Sequence, residues 1–182
     1  NIYGRNITLT STSGTIGTSS EDLDLYLNYN ATGGVFTATA LEGLVNIEQF
    51  NSSLPVQYVW SKNYVTLKAP GNITDARPSE YANIYGKNIT LTSTSGTIGT
   101  SSEDLDIYLN YNSTGGVFTA TALEGLVNAE QYYENLPLQY IWRKNDVTLK
   151  SPGNITDART GEYANIYGRN ITLTSTSGTI GT

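Results

Sequence analysis

Residues 83–164 repeat residues 1–82 with no insertion or deletion and 15 substitutions, and residues 165–182 repeat residues 1–18. Asn1, Asn83 and Asn165 each open the phrase NIYG, and NITLTSTSGTIGT recurs at 6–18, 88–100 and 170–182. Self-similarity at a fixed long period marks an array whose units stack on their own copies and do not close separate cores. The phrase SEYANIYGKNITL crosses from one copy to the next with no linker composition. The expected organisation is one continuous segment over 1–182: repeat 1 at 1–82, repeat 2 at 83–164 and the start of repeat 3 at 165–182. With no Met present, the chain reads as a mature or excised window on a longer array.

Within each unit, apolar–polar–apolar triplets begin at Ile7, Leu25, Val45 and Val65. Each leads through Gly, Pro or Ser/Asn turn residues into a second alternating stretch. Alternation with period two points one set of side chains at a core and the other at solvent. These starts follow one another too closely for crossover helices to fit between them, and helical spacing is nowhere sustained. The predicted fold is all-β, a parallel β-helix of about four coils per 82-residue repeat. In that register Ile7, Leu25, Val45 and Val65 form one interior column and Leu9, Leu27, Ile47 and Leu67 a second. Ile16, Val35, Val56 and Ile73 form a third. The competing arrangement is an antiparallel sandwich, but a string of sandwiches, one per repeat, would need boundaries that the sequence lacks.

Composition removes several function classes. Ten Lys and Arg stand against 16 Asp and Glu, scattered and without the basic stripe that phosphate neutralisation requires, so no nucleic-acid partner is expected. No apolar run approaches the ~20 residues of a membrane span. Cysteine and histidine are both absent, which takes away disulfides, the usual general base and the commonest metal ligand. No cofactor is expected.

The phrases NITLTSTSGTIGT and NDVTLKSPGNITDA resemble those of the filamentous-haemagglutinin-like bacterial surface proteins: a VTL or ITL strand, small turn residues with Gly, then Ile in the next strand. TALEGLVNAEQ and LPLQYIW fill the intervening coils in a similar way. The resemblance covers essentially the whole chain and is one of short, degenerate coil motifs. It implies a right-handed parallel β-helix with an extracellular role in adhesion or filament formation.

Four groups of residues are candidates for chemistry or contact. The acidic stretch Glu21, Asp22 and Asp24 recurs as Glu103, Asp104 and Asp106 and could offer oxygen ligands to Ca²⁺; a solvated corner is the competing reading, and no metal site is assigned. Asn-x-Ser/Thr sequons at Asn6, Asn30, Asn51, Asn72, Asn88, Asn112, Asn154 and Asn170 are candidate N-glycosylation sites. Tyr26 and Tyr29, with Tyr108 and Tyr111, form the candidate contact face. Paired carboxylates could serve a polysaccharide-degrading enzyme, with Asp75 and Asp157 the residues to test. However, every carboxylate of repeat 1 reappears in repeat 2, whereas a catalytic site is assembled once. Thr8/Thr10 pairs are not repeated on neighbouring coils, so no ice-binding lattice is expected.

The sequence thus points to a secreted, cell-surface, non-enzymatic filament segment with a structural or adhesive role. Its expected partners are other copies, by lateral or end-to-end association, and matrix glycans. The alternative is a glycan- or host-binding module presenting Tyr/Trp and Asn/Thr faces.

Overall fold

The structure is a computed structural model that describes residues 1–110 and 114–181. Eighteen strands lie among the described residues, and no helix. Repeat 1 supplies β1 (Ile2–Gly4), β2 (Ile7–Ser11), β3 (Leu23–Leu27), β4 (Phe36–Ala40), β5 (Val45–Gln49), β6 (Leu54–Ser61), β7 (Tyr64–Ala69) and β8 (Ile73–Asp75). Repeat 2 supplies β9 (Ile84–Gly86), β10 (Asn88–Ser93), β11 (Leu105–Leu109), β12 (Phe118–Ala122), β13 (Val127–Gln131), β14 (Leu136–Arg143), β15 (Val147–Ser151) and β16 (Ile155–Asp157). β17 (Ile166–Tyr167) and β18 (Ile171–Ser175) begin repeat 3.

The strands alternate between two sheets except at β8/β9 and β16/β17, consecutive strands that share a sheet, and every pairing within each sheet is parallel. The first sheet runs β1-β3-β5-β7-β10-β12-β14-β16, with β17 also on β14; the second runs β2-β4-β6-β9-β11-β13-β15-β18, with β8 also on β6. The chain is a parallel β-solenoid, each coil lying on the one before, as the alternating pattern predicts. The pleat sends Leu25, Leu27, Ile47, Leu67, Ile84, Ile89, Leu91 and their neighbours inward, all between 0 and 1% exposed. Burying that apolar surface, at roughly 25 cal/mol per Å², is what holds together a chain with no disulfide.

Coil count follows from the register of the second sheet. Ile7 pairs Phe36, β4 pairs β6, Leu54 pairs Ile73, Ile73 bridges Ile98, Ile98 bridges Val127, Val127 pairs Val147, and Val147 pairs Ile171. Those seven steps join residues two repeats apart, so each repeat makes three and a half coils, not four. The odd half-coil exchanges the sheets. β2 lies in the second sheet, its copy β10 in the first, and β18 in the second again.

The interior columns differ from the expected ones for the same reason. Val45, Val65 and Ile89 do stack, but Ile7 belongs to the other sheet and Leu25 pairs Gln49. Of the third column, Ile16 bridges Val45 and Val56 pairs Phe36. Coil steps are unequal, short from Leu54 to Ile73 and long from Ile98 to Val127, because segments 76–83 and 99–104 loop out from the face of a sheet. Ile98 and Leu105 meet Val127 and Ala129, two positions apart on one strand, with six residues between them. Gly99 makes the second loop possible: its φ is +70°, and a Cβ there would stand 2.2 Å from the Asn128 carbonyl oxygen.

Candidate functional site

The loop 99–104 and the outward positions of β11, β13 and β15 assemble one polar cluster. Register places Asp106 beside Glu130, and Glu130 beside Lys150. Asp104 joins from the loop, which is pinned by Thr100: its Oγ1 accepts the Glu103 N–H at 2.9 Å. Lys150 Nζ lies 2.5 Å from Asp104 and 3.4 Å from Glu130. The same arrangement stands on the opposite face in repeat 1, where Asp24 pairs Glu48 and Glu48 pairs Lys68, with Lys68 Nζ 2.8 Å from Glu48. In each copy three carboxylates, Asp22/Asp24/Glu48 and Asp104/Asp106/Glu130, come within 4.8 Å of one another. Of the acidic residues expected together, Glu21 and Glu103 stay outside these clusters, while Glu48 and Glu130 enter from the next coil.

The two copies differ because repeat 2 is covered by repeat 1. Asn83 is fully buried, and its Oδ1 accepts the Asp106 N–H at 3.1 Å. The loop 76–83 that carries it closes over Asp106, leaving that residue 6% exposed. Burial pushes the Asp106 carboxyl up to about 7, helped by the charges of Asp104, Glu130, Asp75 and Glu80. Asp24 lacks such a cover and is half-buried. In repeat 1 it is Asp22 that is raised, by desolvation and then by Glu48. Hydrogen bonds to Glu48 and Asp104 raise the ammonium groups of Lys68 and Lys150.

Asp75 and Asp157 are committed to the looped-out segments. Asp75 Oδ1 accepts from the Arg77 backbone N–H and Asn83 Nδ2, both at 2.5 Å, and Asp157 Oδ1 accepts from Arg159 and Asn165 at 2.7 and 2.8 Å.

Aromatic side chains form ladders along the outside. Tyr3 stacks on Tyr26 with ring centroids 4.4 Å apart, and Tyr26 meets Phe50 at 5.1 Å on the first sheet. The second sheet carries Tyr58, Tyr85, Tyr108 and Tyr132, at 5.5, 5.6 and 6.2 Å. Arg77 lies over Tyr58 and Tyr81, and Arg159 over Tyr140 and Tyr163. Tyr29, 53% exposed, meets Tyr3 edge-on. Tyr26 therefore shares its ring faces with its own neighbours, and what it turns to solvent is mainly an edge; Tyr111 lies outside the described residues.

The sequon asparagines divide by what their amides hold. Asn6 and Asn88 accept the N–H of Val35 and Val117 on the next coil, at 3.1 and 3.0 Å. Asn72 and Asn154 accept those of Thr97 and Thr179. Asn170 donates to Asp146, and Asn51 accepts from Gln49. Asn30 sits exposed at a turn with φ +55°, and Asn112 lies outside the described residues. Open grooves of about 200 Å³ sit under the loops, one at Thr18, Asn46, Tyr64 and Thr66 and its copy at Thr100, Asn128, Asp146 and Thr148.

Fold and surface together define a tandem-repeat parallel β-solenoid whose outer faces carry aromatic and carboxylate–lysine ladders. Comparisons with protein-family models, curated proteins and solved structures return no match.

Proposed function

We propose that this chain is a length of a secreted fibre, a solenoid of the filamentous-haemagglutinin-like kind, whose role is structural or adhesive and not catalytic. The observation that carries this reading is the junction between repeats. β7 of repeat 1 pairs with β10 of repeat 2 over six residues, Asn88–Ser93 on Tyr64–Ala69, and Ile84 and Ile89 are wholly buried there. Such a junction transmits load through the same backbone ladder and apolar core as the coils inside a repeat, and length grows by adding units. Its partners in this reading are further copies of itself.

A second reading, display of a glycan-binding face, draws on the exposed rings at the ladder ends, Tyr29 at 53% and Tyr133 at 55%. The two are separated by electron microscopy of a protein with many repeats, alone and with immobilised glycans. Thin unbeaded fibres without glycan-specific binding support the structural role. A string of separate globules, one to each repeat, would refute it. Specific glycan capture lost on Tyr29→Ser or Tyr133→Ser, with fibres intact, favours the second.

A further inference from the structure

Two oxygens held by one Ca²⁺ at 2.3–2.6 Å can stand no more than about 5 Å apart. The carboxylate oxygens of Asp104, Asp106 and Glu130 lie within 4.8 Å of one another, so they fall within the span of a single ion. Exposed acidic groups gather like this without any ligand, but Asp106 is different in kind. It is 6% exposed, and its backbone N–H and C=O both bond to Asn83. Among the described residues no donor reaches its carboxylate, which is turned toward the other two. A carboxylate on so enclosed a residue, with no protein donor, takes its remaining partners from water or from a cation.

The surrounding charge sharpens the point. Asp75 and Glu80 approach Asp106 from the preceding repeat and add negative charge to that of Asp104 and Glu130. Lys150 is the ammonium at the cluster, and its contacts are to Asp104 and Glu130. Three clustered carboxyl groups face one ammonium, so negative charge is in excess at the cluster.

We propose that Asp104, Asp106 and Glu130 form a binding site for a divalent, oxygen-seeking cation of the Ca²⁺ class, completed at the junction between consecutive repeats. Lys150, with a side chain 43% exposed, holds part of that position and swings into solvent when the ion binds. Its long side chain reaches water without any change of the backbone, so the displacement needs only a change of rotamer. Carboxylates from two successive coils then clamp one ion across the ladder. Asp22, Asp24 and Glu48 are the same residues without a covering repeat, so the complete site here is the second one. In an array it recurs once per junction, on alternate faces. The inference is independent of whether the array serves as a fibre.

The test is calorimetric titration of this chain with CaCl₂, alongside thermal unfolding with CaCl₂ or MgCl₂. The expected result is one principal Ca²⁺ site with a Kd on the order of 10⁻⁴–10⁻³ M, a Tm raised by Ca²⁺, and a smaller response to Mg²⁺. Glu130→Gln and Asp106→Asn should each weaken Ca²⁺ at least tenfold, Asp24→Asn should leave the principal site intact, and Lys150→Gln should strengthen it. Absence of any Ca²⁺-dependent heat or Tm shift at millimolar Ca²⁺ overturns the proposal. So does binding that survives Glu130→Gln in a chain whose circular dichroism shows it folded.

Discussion

Ile7 and Ile89 are the same residue of consecutive repeats, yet they lie in opposite sheets: Ile7 pairs Phe36 in the second and Ile89 pairs Phe118 in the first. The relation holds for every equivalent pair, because a repeat of three and a half coils ends half a turn from where it began. Successive repeats are related by a half-turn about the solenoid axis together with a translation. Whatever chemistry one repeat displays, the next displays on the other side.

That relation fixes the axial period. With coils about 4.8 Å apart, one repeat rises roughly 17 Å and the same face returns after roughly 34 Å. Fibre diffraction from an oriented multi-repeat protein should show the ~4.8 Å meridional reflection with a layer-line spacing of roughly 34 Å, and roughly 17 Å on the meridian. A face-preserving four-coil repeat would instead give a longest period of about 19 Å and lack the line at about 34 Å. That pattern would exclude the half-turn relation.

Asp106 makes stability depend on pH. Its carboxyl titrates near 7 in the folded chain against 3.8 when free, so folding favours the protonated form. The associated stability is complete below about pH 4 and is lost as pH rises through about 7. The groups facing it are Asp104 and Lys150 on its own side, Glu130 on the next coil, and Asp75 and Glu80 on the preceding one. With divalent ions chelated, urea midpoints should fall between pH 5 and pH 8 by the equivalent of a few kcal/mol at most. Asp106→Asn should flatten that slope, and an unchanged slope in the variant would assign the pH dependence elsewhere.

Much of this architecture was legible in the residues. The long period, the absence of helical spacing and the inward aliphatics led to a parallel solenoid because alternation reports directly which side chains face a core. It does not report which sheet a strand joins. Gly99 and Ser101 in a looped-out segment look the same in sequence as Gly14 and Ser13 at a turn, so the pattern hides the half-coil and sets Leu25 beside Ile7. The cluster suffered likewise. Glu103 is adjacent to Asp104 in the chain but stays outside the cluster, while Glu130 arrives from the strand stacked on that of Asp106. The spacings that bring Asp106, Glu130 and Lys150 together become readable only once the register is known.

Arg143 is where repeat 2 is less well made than repeat 1. It is 4% exposed, and among the described residues its Nε and Nη2 have no partner while Nη1 reaches only the Gly125 carbonyl, at 3.3 Å. Burial lowers the guanidinium to about 10, opposed by the Asp146 charge. Its counterpart Ser61 is satisfied: its one O–H is shared between the Gly43 and Tyr64 carbonyls, at 2.9 and 3.1 Å, and its oxygen accepts the Asn63 N–H. Leaving buried charged donors unpaired is among the larger single penalties in a fold. Arg143→Ser should therefore stabilise the chain by about 1–3 kcal/mol in urea unfolding. Ser61→Arg should destabilise it by a similar amount. A loss of stability on Arg143→Ser would mean that the guanidinium has a role its contacts do not reveal.

Asn83 shows what a junction costs when its polar stitch is removed. Its Nδ2 donates to the Val56 carbonyl at 3.0 Å and to Asp75 Oδ1 at 2.5 Å, and its Oδ1 accepts the Asp106 N–H at 3.1 Å. One side chain thus ties the coil before, its own loop and the coil after, the bonds to Val56 and Asp106 being buried. Asn83→Ala strands the Asp106 N–H, an unsatisfied group worth about 1–3 kcal/mol, and takes one of two donors from the Val56 carbonyl and from Asp75, which keep those of Ala76 and Arg77. A loss of about 2–4 kcal/mol is expected, with amide exchange fastest around β9 and β11. Asn165 makes the corresponding bonds to Leu138 and Asp157 at 2.7 and 2.8 Å but is only half-buried. Asn165→Ala should therefore cost less than half as much. Equal losses at the two positions would show that the covering coil adds nothing to this bond network, and the junction would then owe its stability to the apolar core alone.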